Sequence, residues 1–346
     1  MKSFYECSLF SDKEFQPKAT FSISQQEILL DKVMQNGKVS FSKIDVGYDC
    51  LWFKQENWDS NKPTIVIPIK DNKELISITI DNLKQNSIDS LTNIIIVDDR
   101  SQKSLKDCVI EKRLSYLRID NPKGFNFSML NNIAAKIAHS LGSKELIMWN
   151  SDLWCVKKEY FNELLKRHRD SGSTISGSKL VYPPIEYSMN KDQDSDNIRS
   201  HFPQMTGGKW RETIQFGGSG WVNTEGRSPL TYSPIHRFRF KNKDSNLVNS
   251  DKGEVFVTGA LQVINLEWFI SQGGLNPSLS KNFQDVDLCL RCVESGSDVN
   301  YFGKDIHFYH DESVSLMKEG KSDKQLQSDH ILFAKIWNNK IGRFIF

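Results

Sequence analysis

No apolar run in this chain approaches the roughly 18–20 residues that a membrane-spanning helix needs. The opening stretch, Met1 to Phe21, is polar throughout and has no apolar core of signal-peptide type. The expectation is a cytoplasmic protein. Charge of one sign is not in excess either. Forty-five Lys and Arg face 43 Asp and Glu, a formal net charge of +2, whereas a nucleic-acid binder ordinarily carries a basic surplus. Cysteine is sparse, six in 346 residues. Cys7, Cys50, Cys108 and Cys155 are scattered. Cys289 and Cys292 form a lone C-x-x-C, without the second pair that a structural zinc site needs. Two buried thiols near one helix face are the simpler reading. There is no G-x-x-x-x-G-K-[ST], no H-E-x-x-H, no true G-x-S-x-G and no internal repeat. Asn126-Phe127-Ser128 matches a glycosylation pattern, which has no meaning in a cytoplasmic protein.

What is present is a set of three short apolar runs, each ending in a polar signature with a carboxylate. Thr64–Ile69 runs into Lys70-Asp71-Asn72, Asn93–Val97 into Asp98-Asp99-Arg100-Ser101, and Glu145–Trp149 into Asn150-Ser151-Asp152. Such β-branched runs separated by helical stretches read as parallel strands of an α/β sheet. Ile76, Ile80 and Leu83 repeat at helical spacing after the first. Leu130, Ile133, Ala134, Ile137, Ala138 and Leu141 do so before the third, with Gly142 placed to end that helix. A short strand, Leu114–Ile119, lies between. Strand and helix in alternation imply right-handed crossovers. Ligands of such sheets bind beyond the carboxyl ends of the strands. Carboxylates gathered there would repel a phosphate unless a divalent cation lay between, which points to a nucleotide-diphosphate ligand with a metal.

Three segments follow from this pattern. Residues 1–60 are expected to be an N-terminal extension packing on the main domain, with a helix around 25–35. Residues 61–320 form the α/β domain. Residues 321–346 form an amphipathic, basic, helical tail that either docks on the core or meets an anionic membrane surface. Within the domain, Pro183 to Gly253 is turn-rich. Leu261–Ile264 reads as a strand, and a helix follows it to Gly273-Gly274. The Gln284–Arg291 block then opens another helix, which Gly296 stops.

Each polar signature has two readings. Asp98-Asp99 is a turn, or a carboxylate pair accepting hydrogen bonds from a base or ribose. Asn150-Ser151-Asp152 is a turn or cap, or a hard-oxygen site for Mg²⁺ or Mn²⁺ through Asp152. Asp285 caps its helix, or deprotonates an acceptor hydroxyl. His310 is structural, or completes a metal site.

The ordered set resembles one family. The strand Ile65–Ile69, Val97–Ser101, Asn150-Ser151-Asp152, Val257-Thr258-Gly259-Ala260, Gly273–Asn276, Gln284–Arg291 and Tyr309–Ser315 look like a family 2 glycosyltransferase of GT-A fold. Asn126–Asn132, and Ile214-Gln215 with Gly217-Gly218 and His236, are similar to its bacterial rhamnosyltransferase and O-antigen branch. The resemblance covers about Pro63 to Met317. It implies an α/β GT-A fold with a mainly parallel central sheet flanked by helices. It implies that Pro68, Asp98, Asp99 and Asn150 line the nucleotide pocket, that Asp152 and His310 bind a divalent metal, and that Asp285 is the catalytic base. Gly259, Ala260, Gln284 and Trp221 would line the donor and acceptor pocket, with Trp210 nearby. The sequence departs from the family pattern at Asn150, Gln284 and Arg100, which stand for the usual Asp, Glu or Asn, and Gly.

The expected function is a metal-dependent, inverting hexosyl- or deoxyhexosyltransferase. It would use a UDP- or dTDP-linked sugar and a polysaccharide or lipid-linked glycan acceptor, with no nucleic-acid partner and peripheral membrane contact through the tail. Two alternatives stand beside it. One is a nucleotidyl or sugar-phosphate transferase, and the other is a non-catalytic sugar-nucleotide-binding scaffold.

Overall fold

The computed structural model describes residues 49–120, 124–187, 207–312 and 324–345. The helix expected around 25–35 lies outside them. Strand β1 (Asp49–Phe53) precedes β2 (Thr64–Ile69), β3 (Asn93–Asp99), β4 (Ser115–Asp120) and β5 (Glu145–Trp149). β2 and β3 are buried at every residue, as near-continuous apolar runs must be when both faces of a sheet are covered. The covering helices are α1 (Lys73–Gln85), the short α2 (Lys106–Ile110) and α3 (Phe127–Ser140). α1 starts where the Asn72 side chain accepts the Leu75 N–H at 3.1 Å, and it buries Leu75, Ile76, Thr79, Ile80 and Leu83. α3 starts at Asn126, which accepts the Met129 N–H at 2.9 Å. It stops before Gly142, whose φ of +86° suits glycine.

Nine strands form the central sheet in the order β1-β4-β3-β2-β5-β13-β7-β14-β12. The additional members are β7 (Ile175–Ser178), β12 (Asp251–Gly253), β13 (Leu261–Asn265) and β14 (Val299–Phe302). The run β4-β3-β2-β5 is parallel throughout, as the alternation of strand and helix predicts. β13 is antiparallel to both β5 and β7, which makes the whole sheet mixed. β1 pairs antiparallel with β4. The last part of the presumed extension is thus an edge strand of the main sheet, with Trp52 and Phe53 in the core.

A second sheet, β6 (Leu153–Cys155), β15 (Phe308–His310), β8 (Leu180–Val181) and β9 (Ile214–Phe216), lies beside the ends of β5 and β7. A hairpin is formed by β10 (Ser219–Asn223) and β11 (Tyr232–His236). The remaining helices are α4 (Lys158–Ser171), α5 (Leu266–Ser271), α6 (Gln284–Glu294) and α7 (Lys324–Trp337). Cys289 and Cys292 are free, buried thiols on α6. α7 buries Phe333, Ala334 and Trp337, and the turn after it buries Ile341 and Phe344. The amphipathic tail therefore spends its apolar face on the core. Among the described residues, no helix is long and apolar enough to cross a membrane.

Candidate active site

Because β2, β3 and β5 are parallel neighbours, their carboxyl ends bring the three polar signatures to one edge of the sheet. The first two interlock. The Asp71 N–H donates to Ser101 Oγ at 2.9 Å, and the Gln102 N–H donates to Asp71 Oδ1 at 2.5 Å. Asp71 and Arg100 both sit in the left-handed region, at φ +53° and +49°. Such strained non-glycine positions cluster at functional sites. The conformation also explains why glycine suits the place of Arg100.

The adjacent carboxylates of β3 have opposite surroundings. Asp98 Oδ2 accepts from the Tyr116 hydroxyl at 2.5 Å and from Arg118 Nη1 at 3.3 Å, while Oδ1 accepts the Ser101 N–H at 2.9 Å. Asp98 is committed to the turn that follows it and to the neighbouring strand β4. Asp99 is equally buried, yet among the described residues neither of its oxygens has a hydrogen-bond partner. Burial pushes its carboxyl up to about 6, against the pull of Lys70, whose Nζ lies 3.9 Å away. An unpartnered buried acceptor has a large desolvation cost until a donor arrives. Pro68 is buried inside β2, in register with Val97.

The third signature is a tight turn between β5 and β6, closed by the Leu153 N–H donating to Asn150 O at 3.1 Å. Thr79 Oγ1 braces it from α1 through Ser151 O at 2.5 Å. β15 pairs with β6 so that His310 lies opposite Leu153, and the Asp311 N–H donates to Asp152 O at 2.9 Å. His310 Nε2 is thereby held 3.3 Å from Asp152 Oδ1 and 3.4 Å from Asn150 Nδ2. The Asp152 and His310 side chains are almost fully buried, and among the described residues His310 Nδ1 has no partner. Among the described residues, no group of three or more His, Cys, Asp and Glu is placed to hold a metal. One carboxylate oxygen and one imidazole nitrogen converge instead. That pair fits a divalent cation whose other ligands are water and substrate phosphate, the usual arrangement for Mg²⁺ with nucleotides.

Behind His310 stands a cluster that the sequence reading did not single out. Glu312 Oε2 accepts from the Tyr182 hydroxyl at 2.7 Å and from Arg239 Nη2 at 2.5 Å, and Arg239 Nε reaches the same hydroxyl at 2.8 Å. Burial works to raise Glu312, but the Arg239 guanidinium and the Tyr182 hydroxyl overrule it and leave the carboxyl below its usual range. His236 is depressed to about 4, first by burial and further by the Arg239 guanidinium, against the pull of the Glu312 carboxylate. It is neutral at pH 7, with Nδ1 3.1 Å from Gln215 Nε2. Glu312 lies within the Tyr309–Ser315 block, and Gln215 and His236 within the motifs that carry the family resemblance, whereas Tyr182 and Arg239 had no sequence signal.

Asp285 does not cap α6. The cap position is Phe283, with φ +64° and no side-chain bond. Asp285 Oδ2 accepts the Gly259 N–H at 2.6 Å, and Oδ1 accepts the Val286 N–H at 2.8 Å. Burial raises its pKa, and those two N–H groups moderate the rise. Glycine suits this approach, since a Cβ on residue 259 would stand 3.0 Å from Asp285 Cβ and require Asp285 to give way by a few tenths of an ångström. The next residue faces the other way, with Ala260 O accepting the Asn150 N–H at 3.0 Å. Two consecutive residues thus join the Asp285 carboxylate to the turn that carries Asp152. Gln284 is half-buried, and among the described residues its Oε1 has no partner.

The two tryptophans are occupied otherwise. Trp221 Nε1 donates to Phe344 O at 3.1 Å, and its ring meets Phe256 edge-on at 5.5 Å. Trp221 therefore ties the C-terminal turn to the β10–β11 hairpin. Trp210 is buried against Tyr182 at 5.3 Å, so core packing, not an acceptor wall, accounts for it.

No protein-family model matches the chain, and no curated protein does. Solved structures match the fold. GalNAc-T7, crystallised with UDP, GalNAc and Mn²⁺, aligns with a TM-score of 0.55 at 12% identity, covering 80% of this chain and 47% of that one. The chain spans about half the length of GalNAc-T7. S. aureus TarS 1-349 aligns with a TM-score of 0.46 at 11% identity, over 80% of this chain and 70% of that one. The fold shared with GalNAc-T7 is the GT-A fold: a large mixed sheet flanked by helices, with the polar strand ends at one edge.

Proposed function

We propose that the protein is an inverting glycosyltransferase that takes a sugar from a UDP- or dTDP-linked donor. The observation that carries this reading is the Gly259-Ala260 junction, which holds Asp285 and the Asn150–Asp152 turn in fixed relation. In this account Asp99 accepts a hydrogen bond from the nucleotide base or ribose, satisfying an otherwise orphaned carboxylate. Asp152 and His310 hold a divalent cation, as Mn²⁺ accompanies UDP in the GalNAc-T7 crystal. When bound, that ion supplies positive charge to the departing diphosphate. Asp285 takes the proton of the acceptor hydroxyl as that oxygen bonds to the anomeric carbon. The bond from that carbon to the diphosphate breaks on the opposite face, so the configuration inverts. The leaving group is the nucleoside diphosphate, and the acceptor is a hydroxyl of a polysaccharide or lipid-linked glycan.

Asp285→Asn tests the reading, since it keeps the shape and removes the base. Transfer should fall by about 10²–10⁴-fold, while donor affinity stays within about twofold. Equal loss of transfer and of donor binding would remove Asp285 from the role of base. Release of pyrophosphate, in place of nucleoside diphosphate, would make the enzyme a nucleotidyltransferase.

A further inference from the structure

α7 returns to the domain and makes its closest polar and ring contacts at residues 281–287, the segment that carries Asp285. Three of its turns take hold in succession. Asp329, fully buried, accepts the N–H groups of Lys281 and Asn282 on Oδ2, each at 2.9 Å. Phe333 stacks on Phe283 with centroids 4.7 Å apart, and His330 meets the same ring edge-on at 4.6 Å. Trp337 Nε1 donates to Asp287 Oδ1 at 3.0 Å. Asp287 Oδ2 takes Arg291 Nε at 3.0 Å, so that buried carboxylate is filled from both sides.

The gripped residue is a strained one. Phe283 adopts φ +64°, a region that is costly for a bulky residue and persists only where the surroundings enforce it. It immediately precedes Gln284 and Asp285. Relaxation of Phe283 toward extended backbone would swing the first turn of α6 and pull Asp285 from the Gly259 N–H. The preceding loop does not need α7, because α3 already holds it. Asn126 Nδ2 donates to Pro277 O at 2.8 Å, and Ser128 Oγ donates to Leu279 O at 2.6 Å.

We propose that α7 is a clamp that sets the position of Asp285, with Asp329, Phe333 and Trp337 as positioning residues. This rests on Asp285 being the base. The site is thus assembled from both ends of the domain, and the C-terminal helix belongs to its machinery.

The test uses the full chain with Trp337→Phe, which removes one N–H and keeps a ring, and Phe333→Leu, which removes the stack. Lys335→Ala, on the exposed side of α7, is the control. Hydrogen exchange of the Gly259 amide reports directly on its bond to Asp285. Nucleoside-diphosphate release from a panel of UDP- and dTDP-sugars, with Mn²⁺ and water as acceptor, reports on turnover. Both clamp variants should exchange Gly259 about tenfold faster or more, and turn over about 10–100-fold more slowly. Donor affinity and exchange in β13 should be unchanged, and Lys335→Ala should match the parent. Parental protection of Gly259 in folded Trp337→Phe would overturn the clamp, as would exchange that rises equally throughout the core. Should Phe333→Leu fail to fold, Trp337→Phe alone decides. Asp285→Asn in the same series separates the two ideas. If it turns over like the parent, the base assignment fails. If it is inactive while both clamp variants keep parental turnover and protection, only the clamp fails.

Discussion

Asp98 and Asp99 are neighbours in sequence and equally buried, yet their chemistry differs because of what faces them. Asp98 is filled by Tyr116, Arg118 and the Ser101 N–H. Asp98→Ala should therefore lower stability by about 2–3 kcal/mol, measured by chemical denaturation, since it orphans buried partners. Asp99 has no such partners, and its raised pKa means that its ionised form opposes folding at neutral pH. Asp99→Asn should leave stability unchanged or raise it at pH 7, and should weaken nucleotide binding. In the parent, nucleotide affinity should fall as pH drops through about 6, where Asp99 gains a proton and loses an acceptor. That step should vanish in Asp99→Asn, and its survival there would assign the titration elsewhere. Gly259 makes the same point sterically. A methyl group at 3.0 Å from Asp285 Cβ must displace the carboxylate, so Gly259→Ala should cost about tenfold or more in turnover with folding retained. Sequence alone marked all three positions as candidates. It could not distinguish Asp98 from Asp99, because that difference comes from Tyr116 and Arg118 on the next strand.

At the scale of elements, α1, α3, α5, α6 and α7 were legible by apolar periodicity or by the glycines that end them, whereas α2 and α4 were not read, and the tasks of the helices' polar residues were not legible. α3 shows why. Its apolar face packs on β2 and β3, as the spacing predicts. Asn126 and Ser128, however, reach residues 151 positions away, and no local pattern reveals such a partner. Asn126 carries two tasks, as N-cap and as donor to Pro277 O. Asn126→Ala should cost about 1–2 kcal/mol of stability, read from a denaturant midpoint. The helix of Asp285 is a second case. Its acidic first turn suggested capping, whereas the cap position falls on the left-handed Phe283 and the Asp285 carboxylate accepts the Gly259 N–H.

At the scale of the whole molecule, the parallel run β4-β3-β2-β5 follows from strand and helix in alternation. The insertion of β13 between β5 and β7 does not, because it depends on pairing between Leu261–Asn265 and Glu145–Trp149. That insertion brings Gly259 and Ala260 against the Asn150–Asp152 turn, and so it builds the site. The Tyr182–Arg239–Glu312 cluster was illegible for the same reason, being drawn from three separate segments. The measurement that bears most directly on this account is calorimetric titration of UDP-, dTDP-, GDP- and CMP-sugars into the protein, with and without Mn²⁺, repeated on Asp152→Ala. The predicted result is binding of one nucleotide class, UDP or dTDP, that strengthens with Mn²⁺ and loses that dependence in Asp152→Ala. Binding of none of them, or a Mn²⁺ dependence unchanged in Asp152→Ala, would contradict it.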